Sequence, residues 1–364
     1  MAELSSLPWL GNTAASLAAL RLRGTHAMLL HGPAGVGKWE LAMSVARDLL
    51  CESPVGAPAA APAACGQCPS CRLFAAGNHP DLRVIVPDSL AERRPARSGE
   101  GEEPAGGSVN GTEGTAAKAK PSREIKIDQV RELSSLFGVS AHRGGARVVV
   151  LGPAEALNLP AANALLKSLE EPPPGGTFVL VSDRIDRCLP TILSRCVLLR
   201  VALPPRDAAM AWLQQQGLPA DLARSRLTEA GGAPLAALRD DEDALQPELR
   251  AGLVALLRRG KALAAADIAS DVPRTVPISA SVALFQRWAW DYFAFRLGCG
   301  LRYHPDEGRA FEALSRDWSL AAASVWVDRL RAMRSVADHP LNARAAVEGL
   351  LLEYVASIAH GVAQ

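Results

Sequence analysis

The run GPAGVGK, which ends at Lys38, has the pattern of a loop that binds the phosphates of a nucleotide. Gly32, Gly35 and Gly37 allow backbone N–H groups to wrap a phosphate chain, and Lys38 is spaced to reach the terminal phosphates. The usual pattern continues with Ser or Thr, whose hydroxyl holds Mg²⁺, but here Trp39 follows. An indole has no oxygen to offer a metal. The loop therefore predicts nucleotide chemistry with one part missing.

A second catalytic feature is missing farther along the chain. Phosphate-loop ATPases end a buried strand with Asp-Glu, in which the Asp helps hold Mg²⁺ and the Glu orients the attacking water. The matching run here, RVVVL over 147–151, continues with Gly152-Pro153-Ala154-Glu155. Glu155 lies too far along to take either role without a shift of the backbone. Together with Trp39, this argues against hydrolysis by this chain.

Three cysteines with two-residue spacing, Cys65, Cys68 and Cys71, favour a metal site over disulfides. Zn²⁺ takes four tetrahedral ligands in structural sites, and Cys51 is the first candidate for the fourth. His79 is the competing candidate, and structural free thiols are the alternative to metal binding. Four protein ligands leave no open position, so the predicted role of the zinc is structural.

Arg195 lies in the run Ser194-Arg195-Cys196, between an expected helix end and an expected strand. An arginine at the edge of a domain can enter a neighbour's nucleotide site and stabilise charge on the phosphoryl group in transfer. From the residues alone, a salt bridge or a solvated side chain is the preferred explanation of Arg195.

The elements that position these residues alternate between strands and helices. Buried strands are expected at 27–31, 81–86, 147–151, 177–182 and 197–201. Helices are expected at 38–50, 128–137 and 161–171, the last of which is stopped by Pro172-Pro173-Pro174. Such alternation predicts a parallel sheet with helices on both faces.

Composition limits the class of protein. The chain has 364 residues, 49% of them hydrophobic, and a net charge of +1, which gives no global basic field for autonomous DNA binding. The first residues lack the features of a signal peptide, and no apolar run is long enough to span a membrane. We therefore expect a cytoplasmic protein.

Three segments and an insertion divide the chain. Residues 1–203 hold the α/β pattern, Pro204-Pro205 marks a boundary, and 204–243 and 244–364 have helical periodicity. Residues 88–122 have almost no large apolar side chains, which predicts a disordered insertion. A partner-binding tail is the alternative interpretation of that insertion.

The runs ALLKSLEEPP (164–173) and Ser194-Arg195-Cys196 resemble two motifs of the clamp-loader branch of the AAA+ ATPases. The cysteine pattern resembles the zinc module of bacterial clamp-loader subunits. The resemblance covers 1–203 well, and the remainder mainly by size and helical character. It implies a RecA-like AAA+ domain over 1–203 with the zinc module at 51–71, then a small helical lid over 204–243 and an all-α collar over 244–364.

The resemblance also implies roles. Arg195 becomes an arginine finger presented in trans to an adjacent ATPase subunit, and Cys51, Cys65, Cys68 and Cys71 become the zinc ligands. The second sensor of the family is Gly-x-x-Arg, whereas this chain has Gly232-Ala233-Pro234-Leu235, without the arginine. These departures imply a subunit that does not hydrolyse ATP and has no catalytic activity of its own. The subunit that it resembles is part of a DNA-directed DNA polymerase.

The implied setting is a heteropentamer with gamma or tau motor subunits and a delta subunit. This complex loads a sliding clamp onto primed DNA, which this chain would contact mostly indirectly. Two alternatives remain. The first is an active gamma/tau-like AAA+ ATPase that tolerates Trp39, and the second is a zinc-dependent adaptor unrelated to replication. The loop itself is either a structural turn or an inert nucleotide pocket.

Overall fold

A computed structural model of the chain describes residues 7–56, 63–91, 122–133, 145–239, 245–336 and 342–360. Five strands pair in parallel to form one sheet in the order β2-β3-β4-β1-β5. Their bounds are Ala27–His31 (β1), Leu82–Ile85 (β2), Arg147–Leu151 (β3), Gly176–Ser182 (β4) and Val197–Arg200 (β5). The predicted parallel α/β sheet is confirmed.

The register brings the carboxyl ends of the central strands together. His31 at the end of β1 lies opposite Ser182 of β4 and Arg200 of β5. Ligands of open parallel sheets bind outside this edge, in the crevices where loops leave the strands. The phosphate loop follows β1 directly, so the sheet places it at that edge.

Seven α-helices are described in the first part of the chain. They are α1 (Gly11–Leu22), α2 (Lys38–Leu50), α3 (Pro69–Ala75), α4 (Asp88–Ala91), α5 (Ile127–Arg131), α6 (Leu159–Glu170) and α7 (Pro190–Leu193). Helix α6 begins two residues before the expected position because Asn158 caps it, accepting a hydrogen bond from the backbone N–H of Ala161. The expected helix over 128–137 is described only at its start, and the rest lies outside the described residues.

The two faces of the sheet carry different helices. Ala27 and Leu29 of β1 pack in one apolar cluster with residues of α6, including Leu165. Alternate strand residues point to opposite faces, so the buried Met28 and Leu30 belong to the other face. Helix α2 packs against β3 and β4 with its buried residues outside that cluster, which places it on the second face.

The chain divides into two compact units at Ala208/Ala209, within the helix α8 (Arg206–Gln215). The second unit continues with α9 (Ala220–Glu229), α10 (Pro234–Leu238), α11 (Pro247–Arg258), α12 (Ala265–Asp271), α13 (Ile278–Arg296), α14 (Gly308–Leu314), α15 (Leu320–Val336) and α16 (Ala343–His360). Every element described in this unit is helical, as expected for the C-terminal region. A division near residue 243 into lid and collar stays a prediction.

Aromatic residues and one buried carboxylate organise the second unit. Trp288, Trp318 and Tyr354 are almost completely buried in its core. Asp291 of α13 is fully buried, and it accepts backbone hydrogen bonds from three successive residues, 302–304. These bonds satisfy the buried charge and fix the loop that follows α13.

Two further expectations concern the rest of the chain. The insertion expected over 88–122 lies mostly outside the described residues, which include α4 at its start and residue 122 at its end. Among the helices that the structure describes, none is both long enough and apolar enough to cross a membrane.

Candidate functional site

The phosphate loop has the backbone that its glycines allow. Gly37 has a φ of 100° and stands in the left-handed region directly before α2. A Cβ at Gly32 would lie 2.2 Å from the carbonyl oxygen of Val201, where no side chain fits. The sequence pattern therefore corresponds to a formed loop at the N-terminus of a helix, the geometry that suits a phosphate.

The ammonium of Lys38 is fully engaged by groups of this chain. It donates hydrogen bonds to the carbonyl oxygens of Gly32 (2.8 Å) and Pro33 (2.6 Å), and it lies 2.6 Å from a carboxylate oxygen of Asp183. An ammonium has three N–H donors, so each donor has a partner. Its side chain is only 3% exposed. A phosphate would have to displace at least one of these contacts to reach Lys38.

Trp39 occupies space beside the end of β3. A Cβ built on Gly152 would lie 3.3 Å from Cζ3 of Trp39 and 3.1 Å from Cβ of Val181. These contacts are tight, so a side chain at residue 152 would require Val181 and the indole of Trp39 to move by a few tenths of an ångström. The two departures from the ATPase pattern, at Trp39 and at Gly152, therefore fit each other physically.

Glu155 does not replace the missing acidic pair. One of its carboxylate oxygens accepts a hydrogen bond from the backbone N–H of Asp183 at 3.0 Å. This bond fixes the turn after β4, and that turn supplies the carboxylate that contacts Lys38. Glu155 thus supports the closed arrangement of the loop.

Two further residues border the loop. The indole N–H of Trp9 donates to the carbonyl oxygen of Val36 at 2.8 Å, which ties the segment before α1 to the loop. Partial burial lowers the pKa of His31, and the positive charges of Arg200 and Lys38 lower it further. Two cationic side chains, those of Arg200 and Lys38, thus act on His31 at the edge of the sheet that carries the loop.

Arg195 lies between α7 and β5, at the place expected for it, and contacts the last residue of α6. Its Nε–H donates to Oε1 of Glu170 at 2.6 Å, and its Nη2–H donates to the same oxygen. Nη1 donates to the carbonyl oxygen of Thr191 (2.9 Å) and the hydroxyl of Ser194 (3.2 Å). The Arg195 side chain is 29% exposed and that of Glu170 is 50% exposed. The ion pair stands open to solvent.

Four cysteines come together as a compact cluster. The sulfur atoms of Cys51, Cys65, Cys68 and Cys71 all lie within 4.8 Å of one another. The Cys51 sulfur is 3.6 Å from that of Cys65 and 3.8 Å from that of Cys68. Tetrahedral Zn²⁺ with bonds of about 2.3 Å separates its sulfur ligands by about 3.8 Å. The spacing of the cluster therefore fits a four-thiolate metal site.

Hydrogen bonds to the sulfur atoms support the same fit. Backbone N–H groups of Cys65, Cys68 and Cys71 donate to the sulfurs of Cys51, Cys65 and Cys68, at 3.3–3.4 Å. Burial raises the pKa of the Cys68 thiol, but N–H donors from Cys71 and Glu52 outweigh it and lower the pKa to about 6, whereas burial raises the pKa of Cys51 and raises that of Cys71 to about 12. A thiolate rather than a thiol is the form that binds a metal.

His79 does not belong to the cluster, because both of its ring nitrogens have other partners. The backbone N–H of Asp81 donates to Nδ1 at 3.1 Å, so Nδ1 is an acceptor. The Ser70 hydroxyl donates its proton to Glu52 at 2.9 Å, so Nε2 of His79 donates to that hydroxyl at 3.1 Å. Of the two candidates for the fourth position, the structure brings Cys51 to the other three.

In the second unit, the run 232–235 lies at the beginning of α10, where Pro234 is the first helical residue. Leu235 holds the place of the arginine in the second-sensor pattern.

Three contacts of the site escaped the sequence analysis: Asp183 at Lys38, Glu170 at Arg195 and Trp9 at the loop. Asp183 directly follows β4, and β4 neighbours β1, so the strand order would have placed it near the loop. Glu170 belongs to the ALLKSLEEPP run, whose acidic end had no assigned partner. The sequence carries no comparable signal for Trp9.

A five-stranded parallel sheet with β1 between β4 and β5, and a phosphate loop leading from β1 into a helix, is the strand–loop–helix arrangement of phosphate-loop domains. The model of a family described as "DNA polymerase III, delta subunit" matches residues 16–204, just over half of the chain. The chain therefore belongs to that family.

Its relatives include proteins named DNA polymerase III subunit delta'. The relative from Pseudomonas aeruginosa is 41% identical over 221 residues, which cover 60% of this chain and 56% of the relative. That from Yersinia pestis is 36% identical, with 69% and 64% covered, and that from Escherichia coli is 33% identical, with 59% and 54% covered. The matches thus span less than two thirds of the length of these relatives.

Solved structures also resemble the chain. A gamma subunit-related protein of DNA polymerase III from Thermotoga maritima matches with a TM-score of 0.42 and 17% identity, covering 95% of this chain and 99% of the other. A clamp-loader delta protein from Bacillus subtilis matches with a TM-score of 0.32 and 12% identity, covering 93% and 98%.

Proposed function

We propose that the chain is a delta-prime-type subunit of the DNA polymerase III clamp loader that hydrolyses no ATP itself. In this role it supplies Arg195 in trans to a neighbouring ATPase subunit. The carrying observation is the contrast between Trp39 packed at Gly152, where an ATPase holds metal and water, and Arg195 at an open edge of the same unit. Membership of the family and relatives named delta' support the same role.

The phosphate loop acts in this proposal as a structural turn. Gly32, Gly35, Gly37 and Lys38 are the residues that would contact a nucleotide. Lys38 is already neutralised by Asp183, and each of its donors is occupied. Bound nucleotide would meet no hydroxyl for Mg²⁺ at residue 39 and no acid at residue 152, so turnover has no route.

The cysteine cluster holds one structural Zn²⁺ in this proposal, through Cys51, Cys65, Cys68 and Cys71. The ion supplies a crosslink between the end of α2 and the start of α3. Closed four-thiolate sites stabilise a fold rather than catalyse.

We infer the partners from the same role. They are gamma or tau ATPase subunits and a delta subunit in a heteropentamer, which acts on a sliding clamp, with primed DNA contacted mostly through the complex. Residues 204–243 would form the lid and 244–364 the collar that assembles the ring. We also infer that the protein acts in the cytoplasm.

The main experiment replaces Arg195 by Ala in the reconstituted clamp-loader complex. DNA-stimulated ATP hydrolysis at the one site that receives Arg195 should slow by about 10³-fold or more, since an arginine finger supplies 10³–10⁵-fold. Assembly, measured by size-exclusion chromatography, should be unchanged. Arg184→Ala is the matched control, because Arg184 is also an exposed arginine that pairs with a carboxylate, that of Asp186. A normal rate in the Arg195→Ala complex would rule out the role in trans.

The second candidate is an active gamma/tau-like ATPase, which the retained Gly35, Gly37 and Lys38 favour. It predicts ATP turnover by the isolated chain that Lys38→Ala abolishes. The proposal advanced here predicts no turnover by either protein.

Metal analysis of the purified chain tests the zinc site. We expect about one Zn²⁺ per chain and a large loss of it in Cys68→Ser, with a lower melting temperature. Cys299→Ser is the control, because Cys299 is exposed and lies outside the cluster. Full zinc content in Cys51→Ser would contradict the assigned ligand set.

A further inference from the structure

The two motifs that carried the family resemblance meet at a single ion pair. Glu170 is the last residue of α6 and belongs to ALLKSLEEPP, whereas Arg195 follows α7 and belongs to the Ser-Arg-Cys run. We propose that Glu170 is the positioning residue of Arg195, which fixes the guanidinium for presentation to the neighbour's phosphates. The inference rests on the proposed role of Arg195 in trans.

The hydrogen bonds of Arg195 leave one direction open. A guanidinium has five N–H donors. Nε and one hydrogen of Nη2 are bound to Oε1 of Glu170, and the two hydrogens of Nη1 are matched by Thr191 and Ser194. The remaining donor is the second hydrogen of Nη2. The plane of the guanidinium is thus fixed, and one N–H is left for a group outside this set.

Glu170 controls a different part of the side chain than the other partners do. Thr191 and Ser194 bind only Nη1, so without Glu170 the guanidinium can rotate about that point of attachment. A donor that must act on developing charge is most effective when it is already oriented before the reaction. The acceptor oxygen of Glu170 supplies this orientation.

The negative charge of Glu170 is not the part that matters in this proposal. The Glu170 side chain is exposed and that of Arg195 is partly exposed, and ion pairs that reach solvent contribute little through charge alone. A neutral glutamine keeps an oxygen acceptor at the same distance along the side chain. Glu170→Gln therefore separates orientation from charge, and Glu170→Ala removes both.

The test compares ATPase rates of reconstituted complexes that carry variants of this chain. Ordering a complete arginine side chain corresponds to a factor of up to about 30. Because Nη1 remains held, we expect Glu170→Ala to lower kcat by about 3- to 10-fold with little change in KM for ATP. Glu170→Gln should restore kcat to within about twofold. Glu171→Ala is the matched control, since no described contact joins the Glu171 side chain to Arg195.

A double variant shows whether Glu170 acts through Arg195. Glu170→Ala combined with Arg195→Ala should be no slower than Arg195→Ala alone, because the interaction is already lost. Equal kcat for Glu170→Ala and the unchanged protein would overturn the inference. So would faster hydrolysis in both Glu170→Ala and Glu170→Gln, which would mean that the carboxylate restrains Arg195 instead.

The Arg195→Ala complex distinguishes failure of the positioning role of Glu170 from failure of the proposed role of Arg195 in trans. A slow Arg195→Ala complex with a normal Glu170→Ala complex refutes the positioning role alone. A normal Arg195→Ala complex refutes the proposed function and the inference with it. Thermal unfolding of each isolated variant confirms that a lowered rate does not come from a lost fold.

Discussion

The phosphate loop and the Arg195 edge belong to the same unit but treat their cations in opposite ways. Lys38 is buried, and every donor of its ammonium has a partner within the chain. Arg195 is partly exposed, and its partners leave one N–H outside their set. The ammonium of Lys38 is shielded from solvent, whereas the guanidinium of Arg195 is held in place and still reaches solvent.

Under the proposed function, a nucleotide-binding pattern and a nucleotide-related role separate within one domain. Burying a charge without a partner is costly, so the lysine of an unused loop must find internal partners or be lost. Asp183 and two loop carbonyls meet that need. A buried, satisfied lysine is therefore a sign of a loop whose present structure does not depend on phosphate.

The most direct test of this comparison substitutes Arg195 and Lys38 separately, each in the same reconstituted complex. We expect Arg195→Lys to slow hydrolysis at the one site that receives Arg195 by at least tenfold, since an ammonium keeps the charge but loses the planar fork, and a finger supplies about 10³-fold or more. Lys38→Ala should leave the rate within about twofold. Steady-state ATPase assays at saturating primed DNA measure both.

The comparison fails if Lys38→Ala lowers the rate of the complex as much as Arg195→Lys does. Unfolding measurements on the isolated Lys38→Ala chain are the control, because loss of the Asp183 contact is expected to cost about 1–3 kcal/mol.

The fit between Trp39 and Gly152 predicts that the two residues are energetically coupled. Trp39→Thr should lower the free energy of unfolding by about 1–3 kcal/mol, less than for a completely buried tryptophan. Gly152→Ala should cost about 1–2 kcal/mol, because its Cβ enters the short contacts with Trp39 and Val181. In the double variant one of these contacts is gone, so the cost of Gly152→Ala should be smaller by about 0.5–1 kcal/mol.

Urea unfolding of the four proteins in this cycle gives the coupling. Strict additivity would show that the indole does not restrict residue 152. None of these variants should gain ATPase activity, since neither restores the acidic pair.

The smallest expected effect is the change in unfolding free energy on acidification, which reports on protonation of His31 beside the loop. The pKa of His31 is lowered by burial and by Arg200 and Lys38, so the folded chain disfavours protonated His31. The stability that this neutral form contributes is complete above the unfolded pKa of about 6.5, and it is lost as pH falls through the lower folded value. Unfolding free energy should therefore fall more steeply below about pH 6.5 in the unchanged protein than in His31→Gln.

Parallel pH profiles of the two proteins, measured by urea unfolding, would contradict the lowered pKa of His31. His26→Gln serves as a control histidine that lies before β1, away from the edge with the loop.

Local patterns predicted most of the first unit. The strands and α2 follow from short apolar runs, a helical spacing and the glycine loop between them. The earlier start of α6 was also readable, because Asn158 and Pro160 are start signals that the prediction passed over. Residue spacing likewise predicted that Cys65, Cys68 and Cys71 share one metal site.

The contacts that the sequence does not predict depend on which strands and helices are neighbours. Lys38 and Asp183 meet only because β4 pairs with β1, and Arg195 meets Glu170 only because α6 and α7 pack together. The choice between Cys51 and His79 needed the hydrogen bonds of the imidazole. Such contacts join residues far apart in the chain, and no local period specifies them.

Helix α2 has a mechanical consequence. It begins at Lys38 in the loop and ends at Leu50, directly before Cys51 of the cysteine cluster. Over this length it is a strut about 20 Å long that is anchored at both ends. Held at both ends, α2 fixes the distance between the phosphate loop and the cysteine cluster.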